Sequence, residues 1–188
     1  MPNNYTETGK PSKLVAICHG AGSAVTEWVR NSSYNNIVNY LNNAGYAIFD
    51  CNGWSNESSG YNFWGCPKGV SAWRKAYDYI TQNYNVETNI NIYGFSMGGL
   101  TALNLVLNNF PNVKCIALGS PVINLDSCWG ASPHDNMVLG YGTDDYSQIS
   151  PGNNPYASIY TENNKLYFNK QIPPIRIWYG STETNRSG

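Results

Sequence analysis

One stretch constrains the fold of this chain more than any other: Asn91-Ile92-Tyr93-Gly94-Phe95-Ser96-Met97-Gly98-Gly99. An apolar strand over 90–93 runs directly into Gly94-Phe95-Ser96-Met97-Gly98, and a helix-like run starts at Met97. Strand, turn and helix follow with no spacer. A serine between glycines in this setting sits on a strained backbone, because a side chain at Gly94 or Gly98 collides with the strand and helix that the turn joins. The bend pushes Oγ of Ser96 out of the sheet and sets it at the positive end of the helix. A hydroxyl held there is a nucleophile, provided that a base takes its proton. Gly-x-Ser-x-Gly alone also describes an ordinary Gly-rich turn, so its context and a second motif must decide.

The second motif is Leu14-Val15-Ala16-Ile17-Cys18-His19-Gly20-Ala21-Gly22-Ser23, an apolar strand ending in His-Gly-x-Gly. Acyl transfer develops negative charge on a carbonyl oxygen, and fixed backbone N–H groups stabilise it without reorganising. One donor is expected to be the amide of Met97, directly after the serine. The other is expected from the loop after the first strand, at Ala21. Together the two motifs resemble the α/β-hydrolase family, in its esterase and peptidase branch, with an element order that matches from Leu14 to about Glu183.

The chain has 188 residues, enough for one domain with a core. Alternating strands and helices predict an α/β fold, a mostly parallel sheet with helices on both faces. The expected strands are 14–18, 46–50, 90–93, 113–118 and 174–180; the expected helices are 33–43, a run opening at Pro67, and 97–109 stopped by Pro111. Val70, Trp73, Tyr77, Ile80 and Tyr84 give the Pro67 helix its apolar stripe. Residues 51–65 form an aromatic loop at the carboxyl end of a strand, where ligand crevices lie, so Trp54, Phe63 and Trp64 are candidate substrate walls, with a core-covering role as the alternative. Over 121–172 regularity fails, and an insertion that long predicts a cap or lid.

Only 12% of residues are charged and the net charge is −1 with no basic run, so no nucleic-acid partner is expected. No apolar run approaches the roughly 20 residues of a membrane span, and the first residues lack a signal core, so neither a membrane partner nor export by a standard signal is encoded. The compartment stays open. Cys18, Cys51, Cys66, Cys115 and Cys128 show no metal or redox spacing; a Cys51–Cys66 bridge is left open. The chemistry requires no cofactor and no metal.

The resemblance implies an acid and a histidine after the serine, in that order. Its Gly-x-x-acid pattern fits Gly180-Ser181-Thr182-Glu183, making Glu183 the expected acid; Asp126 is the alternative, with Asp144 and Asp145 behind it. The base is harder to place. His19 belongs to the loop motif, where the resemblance implies a structural role, and His134 precedes Glu183, the wrong order. His134 is kept as a secondary base, with Asp126 as its partner in that case. The five residues after Glu183 reach only roughly 17 Å, too short to return a histidine. The expectation is a chain truncated before the last strand and helix of the fold, leaving the strand at Ile175 as an edge for a missing segment or a partner chain to cover. The implied function is a serine hydrolase of carboxylic esters, with a small-molecule or saccharide ester as substrate by analogy with the family's polysaccharide esterases. A peptidase of the same fold and a non-catalytic binding or structural module are the alternatives.

Overall fold

The computed structural model describes residues 1–25, 28, 32–52, 64–130, 134–160 and 172–180. Among these residues five strands, β1 (Ser12–Cys18), β2 (Tyr46–Phe49), β3 (Val86–Phe95), β4 (Val113–Gly119) and β5 (Ile175–Trp178), form one sheet in the order β2-β1-β3-β4-β5. Every pair is parallel. This is the α/β architecture read from the motif order. β1 is apolar throughout because both of its faces are covered. Leu14, Ala16 and Cys18 enter one core with Trp73, Tyr77, Ala102 and Leu105, while Ile17 enters a second with Trp28 and Val38.

Three helices supply those layers. On the Ile17 side lies α1 (Ser32–Asn43); on the other lie α2 (Pro67–Asn83) and α3 (Met97–Leu107). Pro67 stands in the first turn of α2, where its missing N–H costs nothing, and the Cys66 sulfur caps the helix by accepting from Gly69 N at 3.4 Å. Cys66 is therefore committed to a cap, and the disulfide considered between it and Cys51 does not form. Val70, Trp73 and Tyr77 are buried as the spacing predicts, whereas Tyr84 lies past the helix end and is exposed.

Two boundaries differ from the sequence reading. β3 begins at Val86, because Glu87, Thr88 and Asn89 extend the strand in polar residues beyond the apolar run. α3 ends at Leu107 rather than Asn109: Asn109 adopts φ 60°, and Phe110 N reaches back to Leu105 O, a left-handed stop that acts before Pro111.

The insertion is more regular than expected. It contains α4 (Leu125–Trp129), α5 (His134–Tyr141), two 3₁₀ turns at Tyr146–Gln148 and Pro151–Asn153, and α6 (Pro155–Tyr160). Side chains start three of these pieces, with Asn124, Asp145 and Ser150 each accepting from a backbone N–H two residues on. Elements this short show no apolar period, which is why the sequence reads as irregular. Leu125, Trp129, Met137 and Ile149 pack with Trp64, Cys66, Met97 and Leu100, so the insertion sits over the head of α3. Asn104 in α3 ties the layers together, its Nδ2 donating to Gly65 O at 3.0 Å and Asn153 O at 2.8 Å.

Candidate active site

The chain runs outward from β1 to β2, then returns across β1 to lay down β3 on its other side. The crevice beyond the carboxyl ends of β1 and β3 is thus the topological switch point, where open α/β sheets bind ligands. β1 delivers His19 and Gly20 to it, and β3 delivers Ser96.

Ser96 sits at the head of α3 with φ 54° and ψ −121°, a conformation that residues with a side chain rarely occupy. Its backbone is held from three sides. Ser96 N donates to Gly119 O at 3.1 Å, and Ser96 O accepts from Gly99 N at 2.9 Å and from Val122 N at 2.8 Å. The side chain makes no capping hydrogen bond to α3, and the residue is half-buried. The flanking glycines are required by contact. A Cβ on Gly98 would lie 1.9 Å from Cys18 O, and one on Gly94 would lie 2.6 Å from Gly98 O.

Gly20 shows how closely the two motifs meet, since a Cβ there would stand 3.4 Å from Ser96 Cβ and 3.4 Å from the Phe95 ring. Ser23 N closes a turn onto Gly20 O at 3.2 Å, and Ala21 lies on the exposed outer side of that turn. His19 is buried; its Nδ1 donates to Gly20 O at 3.0 Å, and burial lowers its pKa, so the ring is neutral at pH 7 and holds the turn. Farther along the loop, Val25 N donates to Asn52 Oδ1 at 3.1 Å, linking it to the end of β2. Met97 opens α3, where a backbone N–H has no acceptor within the helix, and its side chain is fully buried in the cluster below.

The remaining candidates are dispersed. Trp64 is 5% exposed and packs among Met97, Leu100 and Trp129, the core-covering position. Its carbonyl accepts from Tyr141 OH at 2.7 Å. Trp54, Phe63 and Glu183 lie outside the described residues. His134 pairs through Nε2 with Asp144 Oδ1 at 3.1 Å, not with Asp126, and its ring stands edge-on to Trp129. Asp126 is exposed in the first turn of α4. Asp145 is turned to local work, its carboxylate accepting from Ser147 N, Ser147 Oγ and Gln148 Nε2; those bonds hold its pKa below the usual range. Among the described residues no group of three His, Cys, Asp or Glu side chains is placed to hold a metal ion, and no helix is long and apolar enough to cross a membrane.

A family model described as serine aminopeptidase, S33, matches residues 9–167. The chain belongs to this family of α/β-hydrolases. Solved structures share its fold. Fluorophosphonate-binding serine hydrolase F of Staphylococcus aureus, solved with substrate bound, superposes with a TM-score of 0.70 at 22% identity over 94% of this chain and 67% of that one. S-formylglutathione hydrolase of Staphylococcus aureus gives 0.66 at 22% identity over 93% and 66%, and Est1E of Butyrivibrio proteoclasticus gives 0.55 at 18% over 95% and 70%. The chain spans about two thirds of the length of these proteins. No curated protein matches it in sequence.

Sequence reading missed Asn52 and Asn104. Each carries a side-chain bond to a backbone group far along the chain, and no local pattern marks such a bond.

Proposed function

We propose that this protein is a serine hydrolase of carboxylic esters that works through an acyl-enzyme on Ser96. The observation that carries the reading is the strained, half-buried Ser96 at the head of α3 with the Gly20 backbone packed against it. Ser96 Oγ attacks the acyl carbon as a base removes its proton, and the amides of Met97 and Ala21 receive the charge that develops on the carbonyl oxygen. The alcohol leaves with that proton. Water then repeats the attack, releases the acid and restores the serine.

Glu183 is the proposed orienting carboxylate. The proposed base is a histidine brought by a segment or partner chain that pairs with β5, since neutral, buried His19 is committed to the loop; His134, paired with Asp144 in the insertion, is the second candidate. β5 supports this assignment: Ile177, Trp178 and Tyr179 are 47%, 52% and 77% exposed along the sheet edge. On the α1 side, the sheet also opens into an apolar groove of about 380 Å³ between Ile37, Tyr40, Tyr93 and Ala117. The substrate class is supported by the neighbours' names, which include carboxylesterases, and by Est1E having been solved with ferulic acid bound. An acyl ester of a saccharide or aryl alcohol is the proposed substrate. The description of the matched family model favours a peptidase as the second reading.

A fluorophosphonate probe tests this reading. Labelling that maps to Ser96 and vanishes in Ser96→Ala supports it; a folded chain that never labels, alone or with the segment that pairs with β5, overturns it in favour of a binding module. Turnover of aryl esters against amino-acid anilides then separates esterase from peptidase.

A further inference from the structure

Ser96 is one of two serines with a left-handed backbone; the other is Ser120, at φ 41°, one residue past the end of β4. Among the described residues five that carry a side chain have positive φ, the remaining three being Trp64, Asn109 and Asn112. Asparagine is several-fold enriched in that region of backbone space, and serine has no such preference. Pro121 adds to the cost, because a proline ring pushes the residue before it toward extended backbone. Strain of this kind persists only where the surroundings over-determine it, and it clusters at working sites.

Three backbone bonds supply the constraint. Ser96 N donates to Gly119 O at 3.1 Å, Val122 N donates to Ser96 O at 2.8 Å, and Ser120 N donates to Trp178 O at 2.7 Å. Pro121 also seats this run against the first turn of α3, where a Cβ on Gly99 would lie 2.3 Å from Pro121 Cβ. Gly119 and Val122 thus grip Ser96 by its N–H and its C=O at once. Three residues of extended chain span about 10 Å, too far for both ends to reach one residue. The chain must bend between Gly119 and Val122, and left-handed Ser120 makes the bend while its N–H anchors it on the exposed edge strand β5.

We propose that Ser120 is a positioning residue for the reaction at Ser96: its left-handed backbone turns the chain so that Gly119 and Val122 hold the nucleophile in its own strained conformation. This rests on the reading of Ser96 as the nucleophile and adds a second residue to that site. Ser120 acts through its backbone, so its hydroxyl is dispensable.

The test compares Ser120→Thr, Ser120→Asn and Ser120→Gly. Threonine keeps the hydroxyl, but its branched Cβ makes positive φ an outlier, whereas asparagine and glycine accept that conformation. Amide hydrogen exchange of the folded chain, followed by NMR, should be about tenfold faster at Ser96 and Val122 in Ser120→Thr, with the amides of β1 unchanged. Ser120→Asn and Ser120→Gly should exchange like the wild type. Exchange needs no turnover, so it decides the proposal even where Ser96 proves unreactive. Fluorophosphonate labelling is the second readout: its maximal rate should fall about tenfold in Ser120→Thr at an unchanged half-saturating concentration, and Ser120→Asn should restore it. Wild-type exchange at Ser96 and Val122 in Ser120→Thr overturns the proposal, and so does a loss in Ser120→Gly equal to that in Ser120→Thr, which would place the role in the side chain.

Discussion

Gly98→Ala puts the Ser96 geometry to its sharpest test. The added methyl would lie 1.9 Å from Cys18 O, 2.5 Å from Cys18 C and 2.7 Å from His19 O. Ordinary contact begins near 3.4 Å, so the start of α3 and the end of β1 must part by about 1.5 Å, the difference between those two distances. All three obstacles are backbone atoms at the carboxyl end of β1, which cannot swing aside as a flexible side chain would. Overpacking a core costs about 1–3 kcal/mol, and backbone obstacles place this case in the upper half of that range. For a domain of this size each kcal/mol lowers Tm by about 2–4 °C, so the expected loss is roughly 4–12 °C. The same displacement moves His19 and Gly20 away from Ser96, and a misplacement of that size slows reaction by about 10²-fold. The assays are a thermal melt and the rate of fluorophosphonate labelling. Gly130→Ala is the control: nothing lies within 4 Å of its Cβ position and its φ is −85°, so its stability should move by no more than about 0.5 kcal/mol. A Gly98→Ala protein that melts and labels like the wild type would refute the contact, and so would an equal loss in the control.

Two further outcomes follow from the same atoms. Ser96 holds φ 54° and ψ −121° at a cost of about 1–3 kcal/mol, so Ser96→Gly should abolish labelling yet raise Tm by roughly 2–4 °C after allowance for the freer unfolded chain; a lower Tm refutes the strain. Asp50 binds its proton up to about pH 8 when folded but only near its ordinary 3.8 when unfolded. Between those values the folded state holds the extra proton, so the Asp50 contribution to stability falls as pH rises, by about 1.4 kcal/mol per unit, and Asp50→Asn should flatten that slope in urea titrations at several pH values. A slope unchanged in Asp50→Asn refutes the assignment.

The elements legible in the sequence were those that repeat a local rule. β1 could be read because a strand buried on both faces is apolar at every position, and α2 because Val70, Trp73 and Tyr77 recur on one side behind Pro67. The end of α3 was misread because Asn109, not Pro111, supplies the stop. The insertion looked irregular because its helices start from single polar caps such as Asn124 and Asp145. His134, for which Asp126 is the partner only if it serves as the base, meets Asp144, since which carboxylate a loop histidine reaches depends on how α4 and α5 pack.

By itself the sequence determined the bend at Ser96 and the turn after His19. Both depend on which residues lack a side chain at fixed spacing, and steric exclusion acts within a few bonds. Only the tertiary structure decided that Gly20 lies against Ser96, that Asn104 joins the Gly65 turn to Asn153, and that Ser120 joins the Ser96 turn to β5. Those contacts arise from the order in which parallel strands are laid side by side, which no local stretch encodes.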